Sequence, residues 1–409
     1  MDGFSSITPF VTSIDGRIPT TFIDNPFPNG LQQPFGNTRG LLTGVGGPID
    51  YVWQNRQSPY VQQYSVDVQR EIPGNMAVSV GYVGARGDDL GYGGSSNDSV
   101  NINTLTAEQM ALGSTLQQQV PNPFFGIPGA GPFSTRPTVA RGQLLRPFPQ
   151  FEDIRQRQTS GARTRYHAVV VQVNRHMSRG LAGRFHYTWS RLEDDQFGQS
   201  YFFSAAGQGG QPLDPRNLDA EYSTGLRDIP HRAVLSPIYE LPFGQGKRWA
   251  TTGAADRIIG GWTISAIAMW ESGSPINITQ ADNTGSFGGV QRPNLTGADP
   301  TTPGDTLDRL NGWIDPAAYA LAAPFTFGTA PRTDPRNRTH LRTNYDVVFM
   351  KSIPLMGSAR AQFRIEMLNF TNIPKFTGPA SRVGLANLGA ITTQAGFSRT
   401  TQFLLRVQW

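Results

Sequence analysis

The chain of 409 residues contains no cysteine, which excludes disulfide bonds, thiolate metal sites and cysteine nucleophiles. Charge is scarce as well, with Asp, Glu, Lys and Arg making up 16% of the residues. The formal net charge of +5 comes from scattered arginines with no basic run or basic helix, so no nucleic acid is expected as a partner. No apolar run reaches the roughly 18 residues that a membrane-crossing helix needs. The opening stretch MDGFSSITPFVTSIDG has no charged region followed by an apolar core, and it does not read as a signal peptide. Any contact with a membrane is therefore expected through strands.

What the chain does have is turn-formers and rings: 46 Gly and 31 Pro, with 24 Phe, 12 Tyr and 7 Trp. That mixture points to short strands joined by long irregular loops. The C-terminal stretch TQFLLRVQW puts Phe403, Leu405, Val407 and Trp409 on one face of an extended chain and Gln402, Arg406 and Gln408 on the other, since strand side chains alternate. Only Leu404 breaks the pattern. The same alternation recurs over 60–70, 75–84, 166–175, 181–190, 231–241, 261–271, 344–352 and 359–370, giving nine strands. Arg184 and His186 fall opposite Phe185 and Tyr187, and Arg364 and Glu366 opposite Phe363 and Ile365. Over 231–241 the pattern is weaker, because Val234 and Ile238 fall on the polar side.

Segments of about ten residues with this dyad pattern and aromatic ends match transmembrane β-strands, whose apolar face meets lipid and whose polar face lines a lumen. A soluble sandwich alternates too, so connection lengths are the better discriminator. Short connections at 71–74, 176–180 and 353–358, and a moderate one at 242–260, alternate with long ones at 85–165, 191–230, 272–343 and 371–400. Outer-membrane barrels have this asymmetry, with short turns on the periplasmic side and long loops outside. If the last strand runs down to a periplasmic terminus, so does the first, and its upward partner is missing. The expected architecture is thus all-β: an antiparallel transmembrane β-barrel of which this is the C-terminal portion. Residues 1–59 would be the remnant of an extracellular loop and 60–409 the barrel wall.

Several stretches resemble TonB-dependent outer-membrane receptors, in particular the Oar-like subfamily with an N-terminal carboxypeptidase-regulatory-like domain. They are NRQSPYVQQYSVDVQREIPGNMAVSVGYVGARGDDL (55–90), YHAVVVQVNRHMSRGLAGRFHYTWSRLEDD (166–195), RDIPHRAVLSPIYELPFGQGKRW (227–249), GGWTISAIAMWESGSPINIT (260–279) and RAQFRIEMLNFTNIPKF (360–376). The resemblance implies a barrel of about 22 strands around a plug, on which a periplasmic TonB-type energy transducer acts to admit a small ligand. The plug and more than half of those strands are absent from this sequence. By the same resemblance Trp409, supported by Phe403, Leu405 and Val407, is the signal read by the barrel-assembly machinery.

The remaining motifs have plain readings. Arg86-Gly87-Asp88 is an adhesion tripeptide elsewhere, but here it is expected where a strand ends and a loop begins. Glu193, Asp194 and Asp195 have the oxygens that calcium wants, without a glycine-spaced ligand loop, so a solvated loop end is the expectation. The histidines at 167, 176, 186, 231 and 340 lack metal-ligand spacing, and no phosphate-binding glycine loop or nucleophile elbow occurs. No metal, cofactor or catalytic residue is assigned.

The leading expectation is therefore a non-enzymatic part of an energised uptake receptor in the bacterial outer membrane. Arg184, His186, Arg364, Glu366 and Arg406 would face the lumen, while Tyr187, Trp189, Trp262, Trp270 and Phe363 would form the lipid face and its aromatic girdles. The alternative is a small standalone porin or adhesin, which needs an even strand count and hence a further strand in 1–59 or 85–165.

Overall fold

The computed structural model describes residues 24–25, 27, 40–92, 99–197, 211–285, 287 and 290–409. All nine expected strands are present: β1 (Tyr60–Ile72), β2 (Met76–Gly91), β3 (Ser160–Ser178), β4 (Leu181–Asp194), β5 (His231–Glu240), β6 (Trp262–Glu271), β7 (Arg342–Pro354), β8 (Arg360–Leu368) and β9 (Thr400–Gln408). They form one antiparallel meander in which spatial order equals chain order. Among the described residues the outer edges of β1 and β9 carry no strand partner, so the sheet does not close on itself.

Turn chemistry explains the tight rim. Arg179 and Gly180 join β3 to β4 as a two-residue hairpin with φ of 51° and 81°, the doubly left-handed shape that matches strand twist. A Cβ on Gly180 would sit 2.8 Å from the Glu240 carbonyl, so glycine is needed for space as well. At the β1–β2 turn, Gly74 and Asn75 have φ of 95° and 58°, and these are residue types that tolerate that region. The moderate connection holds the only long helix near this rim among the described residues, Gly253–Ile259.

The opposite end differs from the sequence reading. The described parts of the long connections, expected to be irregular, are folded and hold nearly all of the buried apolar groups among the described residues. One cluster joins Ile276, Ile278, Trp313, Ile314, Tyr319, Val383 and Ile391 from the third and fourth long connections. A second joins Leu105, Met110 and Leu116 from the first to Phe287 and Phe325 from the third. A third packs Tyr92, Val100, Ala162 and Phe197 together. Residues 49–52 run parallel to Ile154–Arg157, with Val100–Asn101 on the other side of that strand, so the described part of 40–59 belongs to this cap. None of these clusters shows strand or helix periodicity, because their members come from segments far apart in sequence.

Two smaller expectations are corrected. Arg86-Gly87-Asp88 lies inside β2, which runs on to Gly91, and Arg86 and Arg165 both hold Asp88. The Glu193-Asp194-Asp195 run is not a solvated loop end. Asp195 is fully buried and accepts from the Arg163 backbone N–H at 2.5 Å and from its Nε at 3.1 Å.

Candidate functional site

Register sorts the strand residues into two faces. Ser79, Gln172, His186, Val234, Met269 and Asn344 are successive cross-strand partners from β2 to β7, and this face is mixed polar. Val80, Val171, Tyr187, Ala233, Trp270 and Thr343 form the neighbouring row on the other, mainly apolar face.

The polar face is concave. Residues on eight strands, from Gln69 on β1 to Leu368 on β8, line one open cavity of about 1060 Å³. Eight strands can share a single cavity only if the sheet curls around it. Arg184 and His186 stand in its wall beside Gln172, Asn174 and Asp346. Ile238, one of the two residues that weakened the alternation of β5, lines it too.

Arg364, Glu366 and Arg406 share this face by register, Arg364 opposite Met350 and Arg406 opposite Gln362, but they lie outside the cavity wall. Arg364 donates to Glu366 at 2.7 Å. The structure thus brings two of the five expected lumen residues to the cavity and pairs two others with each other.

The expected girdle residues are on the apolar face. Trp189 is 58% exposed, the Tyr187 hydroxyl meets His231 Nδ1 at 2.8 Å, and Trp270 packs edge-on against Tyr345. Trp262, at the other end of β6, donates from Nε1 to the Ile258 carbonyl and lies under the Lys351 ammonium. From Trp262 to Trp270 is about 26 Å along the strand, or about 20 Å of height at the usual tilt of barrel strands, somewhat less than the roughly 25 Å apolar band of such barrels. Phe363 stacks on Phe403 with rings 16° apart. Phe403, Leu405, Val407 and Trp409 project from the edge strand β9 and are all well exposed.

Above the sheet, three arginines of the third long connection reach three carboxylates of the second. Arg292 Nη2 donates to Glu221 at 2.5 Å, Arg338 Nη2 to Asp228 at 2.5 Å, and Arg332 Nη2 to Asp194. These groups are all buried or nearly so. Burial pulls the Arg292 guanidinium below its usual pKa, and the Glu221 carboxylate opposes that pull. Burial likewise lowers His340, aided by Arg342, and pushes the Tyr92 hydroxyl up to about 12. Sequence reasoning missed this network. Its signal was the concentration Arg332, Arg336, Arg338 and Arg342 within RTDPRNRTHLR, in a chain otherwise poor in charge. Among the described residues no group of His, Asp and Glu is arranged to hold a metal ion.

A curled antiparallel meander with an apolar outer face, aromatic belts and a polar inner face is the design of a protein that crosses a membrane with strands. The sequence matches the family described as the outer membrane beta barrel domain over residues 2–402, and the chain belongs to that family. Its place is accordingly the bacterial outer membrane. Among solved structures the chain is similar to the outer membrane transporter YddB from Escherichia coli, with 8% identity and a TM-score of 0.40 over 89% of this chain and 34% of that one. It is also similar to the pyoverdine outer membrane receptor FpvA from Pseudomonas aeruginosa PAO1, with 8% identity and a TM-score of 0.37 over 86% of this chain and 30% of that one. A third is the ferric citrate transporter FecA, with 11% identity and a TM-score of 0.35 over 85% and 31%. The chain thus spans about a third of the length of these structures. No curated protein matches it.

Proposed function

We propose that the chain is the C-terminal part of the barrel of a TonB-dependent outer-membrane receptor of the Oar-like kind, taking part in energised uptake of a small ligand. Residues 60–409 form the wall and 1–59 end a preceding surface loop. The two sheet edges, on β1 and β9, that have no strand partner among the described residues carry this reading, because a barrel in lipid cannot leave a row of backbone donors and acceptors unpaired. Arg184 and His186 act along the substrate path, with Arg364, Glu366 and Arg406 continuing the polar wall toward the open edge. Tyr187, Trp189, Trp262, Trp270 and Phe363 meet outer-membrane lipid. Phe403, Leu405, Val407 and Trp409 are read by the barrel-assembly machinery, and a TonB-type transducer acts through a plug encoded outside this sequence. The folded cap captures the ligand, and no residue is assigned covalent chemistry.

The experiment is to read the reading frame upstream of Met1 in its native locus. An in-frame extension encoding further alternating strands, a plug and an export signal is the expected result. A stop codon close upstream, with a ribosome-binding site before Met1, overturns the receptor reading in favour of a standalone barrel.

A further inference from the structure

Regular pairing of β4 with β5 begins at Trp189 opposite His231. Above that point residues 225–230 leave the ladder. They touch β4 again through the Ser190 N–H to the Pro230 carbonyl and the Gly225 N–H to the Leu192 carbonyl, both at 2.9 Å, through the Ser190 hydroxyl to the Ile229 carbonyl at 2.7 Å, and through the Leu192 N–H to the Asp228 carboxylate at 2.6 Å. Beside this bulge a pocket of about 480 Å³ opens, with Tyr82, His167, Val169 and Trp189 along its sheet side and Arg191 and Arg338 at its margin. Tyr82 pairs with Val169 and Val169 with Trp189, so the pocket floor belongs to the apolar outer face, at the level of the aromatic row. The Tyr82 hydroxyl meets His167 Nδ1 at 2.6 Å, which fixes both rings.

The charge above this row is unbalanced. His167 stands opposite Arg191, and Arg165 opposite both Arg86 and Glu193. Three guanidiniums therefore share one band with the carboxylates of Asp88 and Glu193. Arg165 is held by Asp88 and by backbone carbonyls, and Arg338 makes four hydrogen bonds, to Asp228, Pro335 and Gly273. Arg191 differs: it donates to Glu193 at 2.5 Å but is 71% exposed, and a guanidinium has five N–H donors. Arg191 itself lines the pocket.

We propose that this pocket binds the phosphate-bearing headgroup of an outer-leaflet membrane lipid. The lipid's apolar part lies along Val169 and Trp189, and its phosphate is held by Arg191 with His167 beside it. A planar guanidinium pairs with a phosphate through two parallel hydrogen bonds, and an exposed indole ring at an interface suits the sugar or glycerol region of an amphiphile. A free inorganic anion would leave the apolar wall unused. The proposal rests on the reading that this face meets lipid.

The test uses the full chain purified in a neutral detergent, exposed to the bis-phosphorylated glycolipid lipid A, to its dephosphorylated form and to phosphatidylcholine, with retained lipid measured by native mass spectrometry. The expected result is preferential retention of the phosphorylated lipid. Arg191→Gln should lower that retention about tenfold, the worth of one charge-assisted hydrogen bond, and Trp189→Ala should lower retention of all three lipids. Equal retention of phosphorylated and dephosphorylated lipid, or no effect of Arg191→Gln, overturns the site. Displacement of the lipid by millimolar inorganic phosphate also overturns it, in favour of a free-anion site. Flotation of the same preparation with phosphatidylcholine vesicles separates the two levels of failure. A chain that floats but shows no phosphate preference loses only this site, whereas a chain that stays in the soluble fraction loses the lipid-facing reading too.

Discussion

Glu221 is 2% exposed and Arg292 3%, and the carboxylate also accepts from the Leu213 backbone N–H at 2.9 Å. A carboxylate that deep is compensated by the guanidinium beside it. Arg292→Ala is therefore expected to destabilise the cap by about 3–5 kcal/mol, because it strands a buried charge. Replacing both partners together, as in Arg292→Met with Glu221→Leu, should recover most of that loss. Limited proteolysis of the cap in the two variants compares them directly, and equal sensitivity would count against the argument. His340 gives a pH signature at the same scale. It is buried between the Trp313 and Phe376 rings, which lie 6.2 and 5.9 Å away, and burial lowers its pKa. The unfolded chain therefore takes up a proton near the ordinary histidine pKa of about 6.5 while the folded cap does not. Stability should be fully present above that pH and fall as the pH drops through it, the loss ending only below the depressed folded pKa. Hydrogen exchange of the Ile276–Trp313 cluster at pH 7.5 and 5.5 measures this, and His340→Phe should flatten the difference.

At the scale of the element, every strand was legible because a half-buried strand writes its two environments into alternate residues. The upper ends were not. β2 continues from the expected Gly84 to Gly91, and β3 begins at Ser160 instead of Tyr166, because there Leu90 and Ala162 pack on the cap with Tyr92, Val100 and Phe197, and the lipid-against-lumen contrast behind the alternation is lost. The cap was illegible for a related reason. Phe287 packs with Leu105 and Met110, and Arg332 bonds Asp194 across 138 residues, contacts that no local period encodes. Of the candidate site, Arg184 and His186 were readable as a polar row. That Arg364 and Arg406 stand outside the cavity was not, since alternation gives a residue its face but not its height or its neighbours. The face assignment predicts an asymmetry. Val78→Arg and Phe363→Arg place a charge on the lipid side and should each cost about 2–4 kcal/mol if near the bilayer midplane. Gln172→Arg, on the concave side, should cost little. Folding into lipid vesicles, followed by the mobility shift of folded barrels in unheated gels, distinguishes them; equal penalties at the three positions would invert the faces. In the β3–β4 turn, Gly180→Val meets both the left-handed backbone and the Glu240 carbonyl and should lower the folded yield in the same assay.

For the molecule as a whole, the deciding quantity is how the sheet closes. In a meander each strand reverses the one before, so β1 and β9, first and last of nine, run in the same direction. Closing these nine strands alone would require a parallel seam between β1 and β9, in a sheet otherwise antiparallel throughout. Both edge strands are instead fully pleated and almost wholly exposed, with Val66 at 70% and Leu405 at 69%, as expected of edges that take other partners. The absence of cysteine makes the question measurable without background. Paired cysteines at Val66 and Leu405, with neighbouring pairs at Val68 and Phe403 to cover uncertainty in register, bridge only if the Cα atoms come within about 7 Å. In the folded chain under mild oxidation we expect no intramolecular bridge from any pair. An intramolecular bridge at one register would mean that nine strands close by themselves. The receptor reading would then give way to a small self-contained barrel, with the 1060 Å³ cavity as its own channel.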